Sequence, residues 1–396
     1  MDLAKKDYLR ISGFERNFTS FVVDPLYGQI GLTAQEQAIT DTAIFRRLKR
    51  IKQLGLVSEF YSGASHSRFD HSLGTLYITW IMFKRFVDNI QNHNPWVNKR
   101  TVLSLFPDET IKSLRIAALI HDLGHGPFSH YFEGISDHLN AKVDHDLVTP
   151  FFLEAQELQE EKSKLYYDAI HGDEYLAKKF LDLQDEFFAC IPEASIRNKV
   201  LCIIKPSWCS SNNKKFSMVK DFLHNIIYGD VGSDRIDYLL RDTHFTGLSH
   251  RFNLLDLLNN ITAIFDYENN KLRFAINCEG EDVLDFFLTT RYYHYRLIAN
   301  DLRNIDLFCE LKERVQEGLK AEQDKLTKFL DLNFGDEIDF EKTIPPLPNW
   351  GFERVGSWNL AQIRVDYYRF IIYRLLAGKQ RKKYLASIPA RTSSKP

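Results

Sequence analysis

The sequence predicts a mainly α-helical protein with small β-hairpins. Most of the chain has apolar residues at helical spacing, as in the segments 36–55, 67–83 and 280–330. The alternation expected of strands is confined to residues 16–34 and 264–277, and each of these segments has turn-forming residues near its middle. The 30 Phe and 18 Tyr residues favour thick packing between helices.

Length and composition are those of an ordinary globular protein. A chain of 396 residues can bury one large core or two modest ones. Its hydrophobic content of 44% and charged content of 26% are typical of globular domains. Because the net charge is only −2, nothing supports a large nucleic-acid footprint, and we do not expect nucleic acid to be the main partner.

Cysteine usage and hydropathy predict a cytoplasmic protein. The five cysteines form no CxxC pair and no regular framework, which favours reduced thiols. The first 14 residues lack an apolar signal core, and no apolar run approaches the length of a membrane span. We therefore expect a soluble chain with no membrane partner.

The first hundred residues contain a predicted hairpin and two predicted helices. Residues 16–34 turn at DPLYG and indicate a strand pair. From Glu36 the apolar spacing predicts a single helix with Gly55 as its C-terminal cap. After the small-residue loop SGASHS, a second helix is expected to start at residues 67–69. Residues 88–109 are polar and predict a loop.

Histidines outside the apolar helices are interpreted by their surroundings. The region 134–168 is highly charged, so His138 and His145 within it are expected at the surface. Residues 169–188 form an amphipathic pattern, with His171 in the first turn of the predicted helix.

The densest group of ionisable residues lies in IAALIHDLGHGPFSH, residues 116–130. It carries His121, Asp122, His125 and His130 behind an apolar helical run. A lone histidine on an apolar helix is more often a satisfied core residue than a ligand. Four such groups within ten residues reverse that expectation, because buried ionisable groups are costly unless they pair or bind a metal. The segment therefore predicts a metal and catalytic site, with His125 on the same helix face as His121.

Two other polar groups qualify as parts of a site. Arg68 and His71 lie in the first turns of the second helix, where free backbone N–H groups favour an anion such as phosphate. A later helix carries a polar stripe made of Asp234, Asp237, Tyr238, Arg241 and Asp242. Such a stripe is usually a solvated face, and its spacing leaves a solvated face and a site equally open.

Three of these segments carry a resemblance to a known family. HSRFDHSLG, IHDLGHGPFSH and GDVGSDRIDYLLRD are similar to the motifs of HD-domain phosphohydrolases. More specifically, they resemble the deoxynucleoside triphosphate triphosphohydrolases related to the mammalian SAM-and-HD-domain enzyme, over roughly residues 20–300. The resemblance implies an HD-domain helical core that hydrolyses a deoxynucleoside triphosphate (dNTP) to deoxynucleoside and triphosphate.

The resemblance also implies one divalent metal ion. Its ligands would be His71, His121, Asp122 and Asp234. Mn, Fe, Zn, Ni, Co and Mg all remain open as the metal. The ion would polarise the α-phosphate and lower the pKa of a bound water.

Catalytic residues follow from the same resemblance. They would be His125, His130, Glu133 and His171. His130 and Glu133 resemble a base and its orienting carboxylate.

The choice of the remaining catalytic histidine also decides where an insertion would lie. We prefer His171 because the helix after it fits the family, which makes roughly residues 135–168 an insertion. The alternative is His145, which is followed by an aspartate. The predicted domains are a core at 1–330 and a helical C-terminal region with a basic tail at 331–396.

On the substrate side, the resemblance implies contacts to phosphate and sugar. The phosphate contacts would be Arg68, Arg235 and Arg291. The sugar 3′-OH and 2′ carbon would meet Gln53, Leu54 and Asp242, and Tyr238 would pack on the deoxyribose. A close wall at the 2′ carbon implies that deoxynucleotides are preferred.

The chain also departs from the family. Ala299 and Asp301 stand where a Tyr and a His are expected. In the family's nucleotide-activator site, Asp41 is retained while Arg46 and Lys49 replace a Gln and an Arg. A nucleotide substrate and a second copy of the chain, in a homo-oligomer that is either a dimer or a tetramer, are the expected partners. The resemblance leaves a nucleotide activator open. The alternatives are hydrolysis of another phosphoester, such as a nucleoside monophosphate or signalling nucleotide, and a non-catalytic nucleotide-sensing module.

Overall fold

The computed structural model describes residues 3–91, 98–138, 144–153, 173–209, 213–299, 302–318, 331 and 334–335. Its helices are α1 (Leu3–Ser12), α2 (Ala34–Asp41), α3 (Ala43–Arg46), α4 (Arg68–Gln91), α5 (Lys99–Leu103), α6 (Asp108–Ile120), α7 (His130–His138), α8 (His145–Phe151), α9 (Glu174–Cys190), α10 (Ala194–Ile204), α11 (Lys214–Tyr228), α12 (Ser233–Thr246), α13 (Leu254–Asn259), α14 (Glu281–His294) and α15 (Leu302–Gly318). Its strands are β1 (Phe18–Asp24), β2 (Gly28–Thr33), β3 (Ile261–Asp266) and β4 (Lys271–Ile276). The predicted mainly α-helical class is confirmed.

Both predicted hairpins are present as two-stranded antiparallel sheets. β1 pairs with β2, and β3 pairs with β4. In the first turn the Asp24 carboxylate accepts hydrogen bonds from the backbone amides of Leu26 at 2.8 Å and Tyr27 at 3.1 Å. Gly28 closes this turn with a φ of +73°, a conformation that glycine adopts without strain. The turn therefore holds Asp24 and Tyr27 in fixed positions.

The prediction of one helix from Glu36 to Gly55 is wrong. Thr42 has an extended backbone between α2 and α3, and its side chain accepts a hydrogen bond from the amide of Phe45. A residue that ends one helix and caps the next lets the chain bend without breaking the apolar spacing. The bend directs Arg47 towards the loop after α6, where its guanidinium donates to the carbonyl oxygen of His125 at 2.6 Å.

α4 is the central helix of the fold. It begins at Arg68, as predicted, and packs against α6, α12 and β3. Phe86 on this helix lies among other buried rings, with its centroid 4.5 Å from that of Phe222 and 5.8 Å from that of Phe106. Aromatic packing of this kind fixes the helices whose ends carry the candidate site. The predicted loop at 88–109 is wrong in part, because α4 runs to residue 91 and α5 lies within the segment.

Two cysteines are joined. Cys202 at the end of α10 and Cys209 form a disulfide, so the expectation of reduced thiols is wrong for these two residues. The chain reverses direction between them and brings their Cα atoms to 4.5 Å. Cys190, Cys278 and Cys309 are free. Within the described ranges, every helix is either too short or too polar to cross a membrane.

Candidate metal centre

The ends of three helices bring the four predicted metal ligands together. His71 lies in the first turn of α4, His121 is the residue that ends α6, Asp122 follows it, and Asp234 is the second residue of α12. Because α4 packs against both α6 and α12, side chains that are far apart in sequence meet at one point. His71, His121 and Asp122 are buried.

Distances within this group are short. The Nε2 atoms of His71 and His121 are 3.2 Å apart. The Asp234 Oδ1 atom lies 3.1 Å from the first nitrogen and 3.7 Å from the second. The Asp122 carboxylate completes the group, with Oδ2 3.5 Å from His71 Nε2 and Oδ1 3.3 Å from His121 Nε2.

The outer nitrogens of the two imidazoles fix their tautomers. His121 Nδ1 lies 2.9 Å from the carbonyl oxygen of Ala118, which can only accept, so Nδ1 carries a proton. His71 Nδ1 lies 2.7 Å from the carboxylate of Asp237 and donates in the same way. In the neutral imidazoles both Nε2 lone pairs then point at each other and at two carboxylates. A divalent cation is the group that satisfies this donor set, so the residues present fit a metal ion.

Electrostatics favour a positive charge at the same point. Burial lowers the pKa of His71, but hydrogen bonds to Asp234 and Asp237 outweigh it and raise that pKa to about 10. Burial raises the pKa of Asp234, and hydrogen bonds to His121 and His71 bring it well below its usual range. The carboxylates are therefore ionised, as metal ligands must be.

Arg68 is buried beside the metal ligands. Its Nη1 atom donates to Asp122 Oδ2 at 2.5 Å, and its Nε atom donates to Ser129 Oγ at 2.9 Å. The predicted phosphate contact thus lies directly next to the candidate metal centre. A guanidinium in this position adds positive charge to one side of the site.

A second group of ionisable residues adjoins the first. Glu133 Oε1 lies 2.5 Å from His145 Nδ1, and Glu133 Oε2 lies 3.0 Å from His130 Nδ1. The ring of His125 stacks on that of His145, with centroids 3.8 Å apart. Potential ligand atoms of these four residues lie within 4.8 Å of one another, so this group too has the spacing of a metal site. The side chain of His130 is 59% exposed, whereas Glu133 is buried.

His125 links the two groups. Its Nε2 atom is 3.4 Å from Asp122 Oδ1, and its Nδ1 atom is 3.4 Å from Glu133 Oε1. Neither nitrogen completes a hydrogen bond with the part of the chain that the structure describes, although the side chain is fully buried. Burial lowers the pKa of His125, and the nearby charge of Arg68 lowers it further. A neutral, buried imidazole without a completed hydrogen bond is suited to meet a ligand.

Two predictions about this region are wrong. His125 is not on a helix face with His121, because α6 ends at Ile120 and turns follow up to the start of α7. Phe128 and Ser129 have φ values of 59° and 58°, so the chain reverses there through left-handed conformations that a helix cannot contain. His145 is not a surface residue, since its ring lies between His125 and Glu133. His171 lies outside the described residues.

The predicted sugar contacts lie in another part of the structure, together with the predicted phosphate contact Arg291. Asp242 accepts hydrogen bonds from His66 at 2.7 Å and from His294 at 2.6 Å, and it is fully buried. The backbone amide of Gln53 donates to the carbonyl oxygen of His66 at 3.0 Å. The Tyr238 ring lies 5.3 Å from that of His294. Leu54 adjoins Gln53 in the chain, and Arg291 lies one turn before the end of α14.

Arg235 has contacts away from the metal ligands. Its guanidinium donates to the backbone carbonyls of Tyr228, at 2.9 Å, and Gly229, in the turn before α12. Its predicted phosphate contact therefore stays a prediction.

Several residues at the site were not predicted from sequence. His66 and His294 hold Asp242, and Asp237 holds His71. Asp237 lies on the polar stripe of α12, and His66 is the first residue of the HSRFDHSLG segment, but neither position was singled out. His294 lies in another segment, and nothing in the spacing of the two histidines links them to Asp242.

One region of the chain matches a known domain family. A family model described as "HD domain" matches residues 68–197. Residues 68–197 are an HD domain. This HD domain contains three of the four candidate metal ligands, whereas Asp234 lies beyond its end. It also contains the whole second group, called the Glu133 group below, which consists of His125, His130, Glu133 and His145.

Relatives of this HD-domain chain include characterised and uncharacterised proteins. An uncharacterized protein, the MG461 homolog of Mycoplasma pneumoniae, is 28% identical over 296 residues, 72% of this chain and 57% of that protein. The deoxynucleoside triphosphate triphosphohydrolase SAMHD1 of Gallus gallus is 29% identical over 291 residues, 71% of this chain and 43% of that protein. The putative HD domain-containing protein L394 of Acanthamoeba polyphaga mimivirus is 30% identical over 274 residues, 69% of this chain and 52% of that protein. The chain thus spans about half the length of these relatives.

Proposed function

We propose that this chain is a metal-dependent phosphohydrolase that cleaves a dNTP to the deoxynucleoside and inorganic triphosphate. The observation that carries the proposal is the convergence of two imidazoles and two carboxylates on one point, directly beside the Glu133 group. The HD domain supports the phosphohydrolase class. Similarity to proteins named deoxynucleoside triphosphate triphosphohydrolase supports the substrate.

The metal would be held by the first group. Two imidazole nitrogens and two carboxylate oxygens suit Mn, Fe, Zn, Ni or Co, and the carboxylates also admit Mg. A divalent ion held by His71, His121, Asp122 and Asp234 would polarise a phosphoryl oxygen and acidify water.

Proton transfer would fall to the second group. In the proposed reaction a water oxygen bonds to the α-phosphorus, the bond to the sugar 5′ oxygen breaks, and that oxygen takes up a proton. His130 is the exposed member and is oriented by Glu133, so it is placed to exchange a proton with bound substrate. His125 would contact the phosphate with a ring nitrogen that completes no hydrogen bond among the described residues.

The substrate side would use the arginines and the Asp242 neighbourhood. Arg68, next to the candidate metal, would neutralise phosphate charge, and Arg235 and Arg291 remain the predicted further contacts. Gln53, Leu54, Tyr238 and Asp242 would hold the deoxyribose. Because Asp242 is already bonded to two imidazoles, its position is fixed before a sugar arrives.

The test is a product assay on purified protein with Mn supplied, against dNTPs, NTPs and nucleoside monophosphates. We expect inorganic triphosphate from dNTPs and a slower reaction with NTPs. Asp122→Ala should lose both the metal and the activity, with its folding checked by circular dichroism. Unchanged metal content in this variant would overturn the ligand assignment. Absence of turnover, with nucleotide binding retained, would indicate a sensing module instead.

A second candidate is hydrolysis of another nucleotide phosphoester. Ala299 and Asp301, which stand where the family has a Tyr and a His, favour this alternative because they change predicted base and phosphate contacts. Orthophosphate released from monophosphates, without triphosphate from dNTPs, would establish it.

A matched pair of variants can decide between His145 and His171 as the remaining catalytic histidine. We propose that His145 belongs to the active site, because it shares the carboxylate of Glu133. His145→Ala should lower kcat by about 10²–10⁴, the usual range for an acid–base group. His171→Ala tests the sequence-based preference in the same assay, and a larger loss there than in His145→Ala would restore it.

Activation and assembly are further parts of the proposal. The retained activator residue Asp41 forms an ion pair with Arg46 at 3.0 Å, so an activating nucleotide would have to compete with this contact. Light scattering with and without guanine nucleotide would measure a dimer or tetramer, and a monomer in both conditions would exclude the family's activator-linked assembly.

A further inference from the structure

The candidate ligand His71 has a buried carboxylate behind it. Its Nδ1 atom lies 2.7 Å from Asp237 Oδ2, while its Nε2 atom faces the other candidate ligands. His71 and Asp237 are both completely buried. Asp237 lies one turn after Asp234 on α12, so the same helix supplies a candidate ligand and the partner of another.

Asp237 accepts several hydrogen bonds besides the one from His71. Arg241 donates to it twice, from Nε to Oδ2 at 2.9 Å and from Nη2 to Oδ1 at 3.0 Å. The hydroxyl of Tyr27 donates to Oδ1 at 2.7 Å. The Asp237 carboxylate thus has four polar contacts, two with Arg241 and one each with Tyr27 and His71. Its orientation is thus fixed on every bonded side.

The same network reaches the N-terminal hairpin. The remaining amino group of Arg241 donates from Nη1 to Asp24 Oδ2 at 2.8 Å. Asp24 also accepts from the amides of the β1–β2 turn, which carries Tyr27. The Tyr27 ring stacks on that of Tyr77 of α4, with centroids 4.9 Å apart. A continuous chain of contacts therefore runs from the hairpin turn to the outer nitrogen of His71.

Asp237 is tightly packed on the side that faces α4. Gly74 lies one turn after His71 on α4, and a Cβ added there would come within 1.9 Å of Asp237 Oδ1 and 2.4 Å of Arg241 Nη2. The carboxylate has no room to move towards α4. Its contact with His71 is therefore set by the packing of the two helices.

We propose that Asp237 is a positioning residue for His71, and that the N-terminal hairpin, through Tyr27, Asp24 and Arg241, sets the place of Asp237. This inference rests on the proposed metal site. The carboxylate keeps the proton of His71 on Nδ1, directs the Nε2 lone pair at the metal and makes that nitrogen a stronger donor. The hairpin is then part of the metal centre, although it contributes no ligand.

The decisive variant is Asp237→Asn, which keeps the shape and removes the charge. We expect metal affinity to fall by about 10–100-fold, the usual effect of losing a carboxylate partner of a metal-binding histidine. Affinity is measured by competition of Mn(II) with a chelator, on protein shown to be folded. A purely structural ion pair would change unfolding without changing the affinity of the folded protein.

Asp242→Asn is the matched control. Asp242 is also a fully buried carboxylate on α12 bonded to histidines, but its partners are His66 and His294. We expect its metal affinity to stay within about twofold of wild type. An equal loss in both variants would show a general disturbance of α12 and would overturn the inference.

Tyr27→Phe tests the reach of the network. It removes one hydroxyl from the hairpin and leaves Asp237 in place, so it keeps the test informative if Asp237→Asn fails to fold. Loss of this hydrogen bond should weaken metal binding by about two- to tenfold. Unchanged metal affinity in Asp237→Asn would overturn this inference but not the proposed function. If Asp237→Asn fails to fold, unchanged metal affinity in Tyr27→Phe would have the same consequence. A wild type that binds no metal overturns the proposed function as well.

Discussion

Glu133 connects His130 and His145. Burial raises the pKa of its carboxyl, but His145 and His130 outweigh it and bring that pKa well below 4.5. Burial lowers the pKa of His145, but Asp146 and Glu133 outweigh it and raise that pKa from 6.5 to about 10. At neutral pH, Glu133 and His145 therefore form a buried pair of opposite charges.

The pair makes stability depend on pH. A histidine whose pKa is raised by folding stabilises the protein fully below pH 6.5, and this contribution is lost as the pH rises through about 10. Glu133→Gln should lower the free energy of unfolding by about 3–5 kcal/mol at pH 6, because it leaves a buried charge without its partner. The difference from wild type should shrink towards pH 10. Thermal unfolding at pH 6, 8 and 10, with chelator present, measures it.

Glu268→Gln serves as the control for that series. Glu268 is exposed in the β3–β4 turn, so its substitution should change the free energy of unfolding by less than about 0.5 kcal/mol at each pH. A destabilisation of Glu133→Gln that is equal at all three pH values would contradict the charged pair.

The sequence predicted those candidate-site residues that lie close together in the chain as well as in the structure. His121, Asp122, His125 and His130 were identified together because they are dense within one segment. His145 was named only as the alternative to His171, since it lies in a charged stretch and its place is decided by contact with Glu133, 12 residues before it in the chain. No local pattern separates a histidine that makes such a contact from one that does not.

At the level of elements, α4 and α12 approach each other tightly at Gly74. An added methyl group would overlap the carboxylate of Asp237, which three side chains hold in place. Gly74→Ala should lower the free energy of unfolding by about 1–3 kcal/mol, the usual cost of overpacking, and should also weaken metal binding. Denaturant unfolding and the chelator competition measure the two effects.

Gly134→Ala is a comparable change in another helix. The three atoms nearest to a Cβ added in α7 belong to the ring of Phe308, the closest at 3.0 Å, and a ring can shift where a clamped carboxylate cannot. We expect a smaller loss of stability and an unchanged metal affinity. If Gly74→Ala lowered the free energy of unfolding no more than Gly134→Ala does, the result would contradict tight packing of α4 against α12 at Gly74.

Helix ends show where the apolar spacing stops being informative. The start of α4 was predicted because a small-residue loop precedes it. The bend at Thr42 was not, because apolar residues continue at helical spacing through it. The end of α6 at Ile120 was not, because the residues that disfavour a helix, Gly124, Gly126 and Pro127, come only later in the chain. What interrupts the helix there is backbone hydrogen bonding, at Thr42 through a side-chain cap and after Ile120 through turns.

Across the whole molecule, a bound metal would connect α4, α6 and α12. A ligand that binds the folded state alone stabilises it, by about 2.7 kcal/mol at a free concentration of 100 times Kd. Mn(II) should therefore raise the Tm of wild type, and a chelator should reverse the rise. In Asp234→Ala the rise should be largely absent. An equal rise in both proteins would mean that the ion acts elsewhere.

The contact between Tyr27 and Asp237 joins positions 210 residues apart, and both lie outside residues 68–197. A fragment cut to those boundaries keeps His71, His121 and Asp122 but loses Asp234 and the network behind His71. The stretch that matches the family model is thus smaller than the unit that forms the candidate metal centre. Fragments for expression, and chimaeras with related proteins, need to extend from the first hairpin to the end of α12 if they are to keep the centre intact.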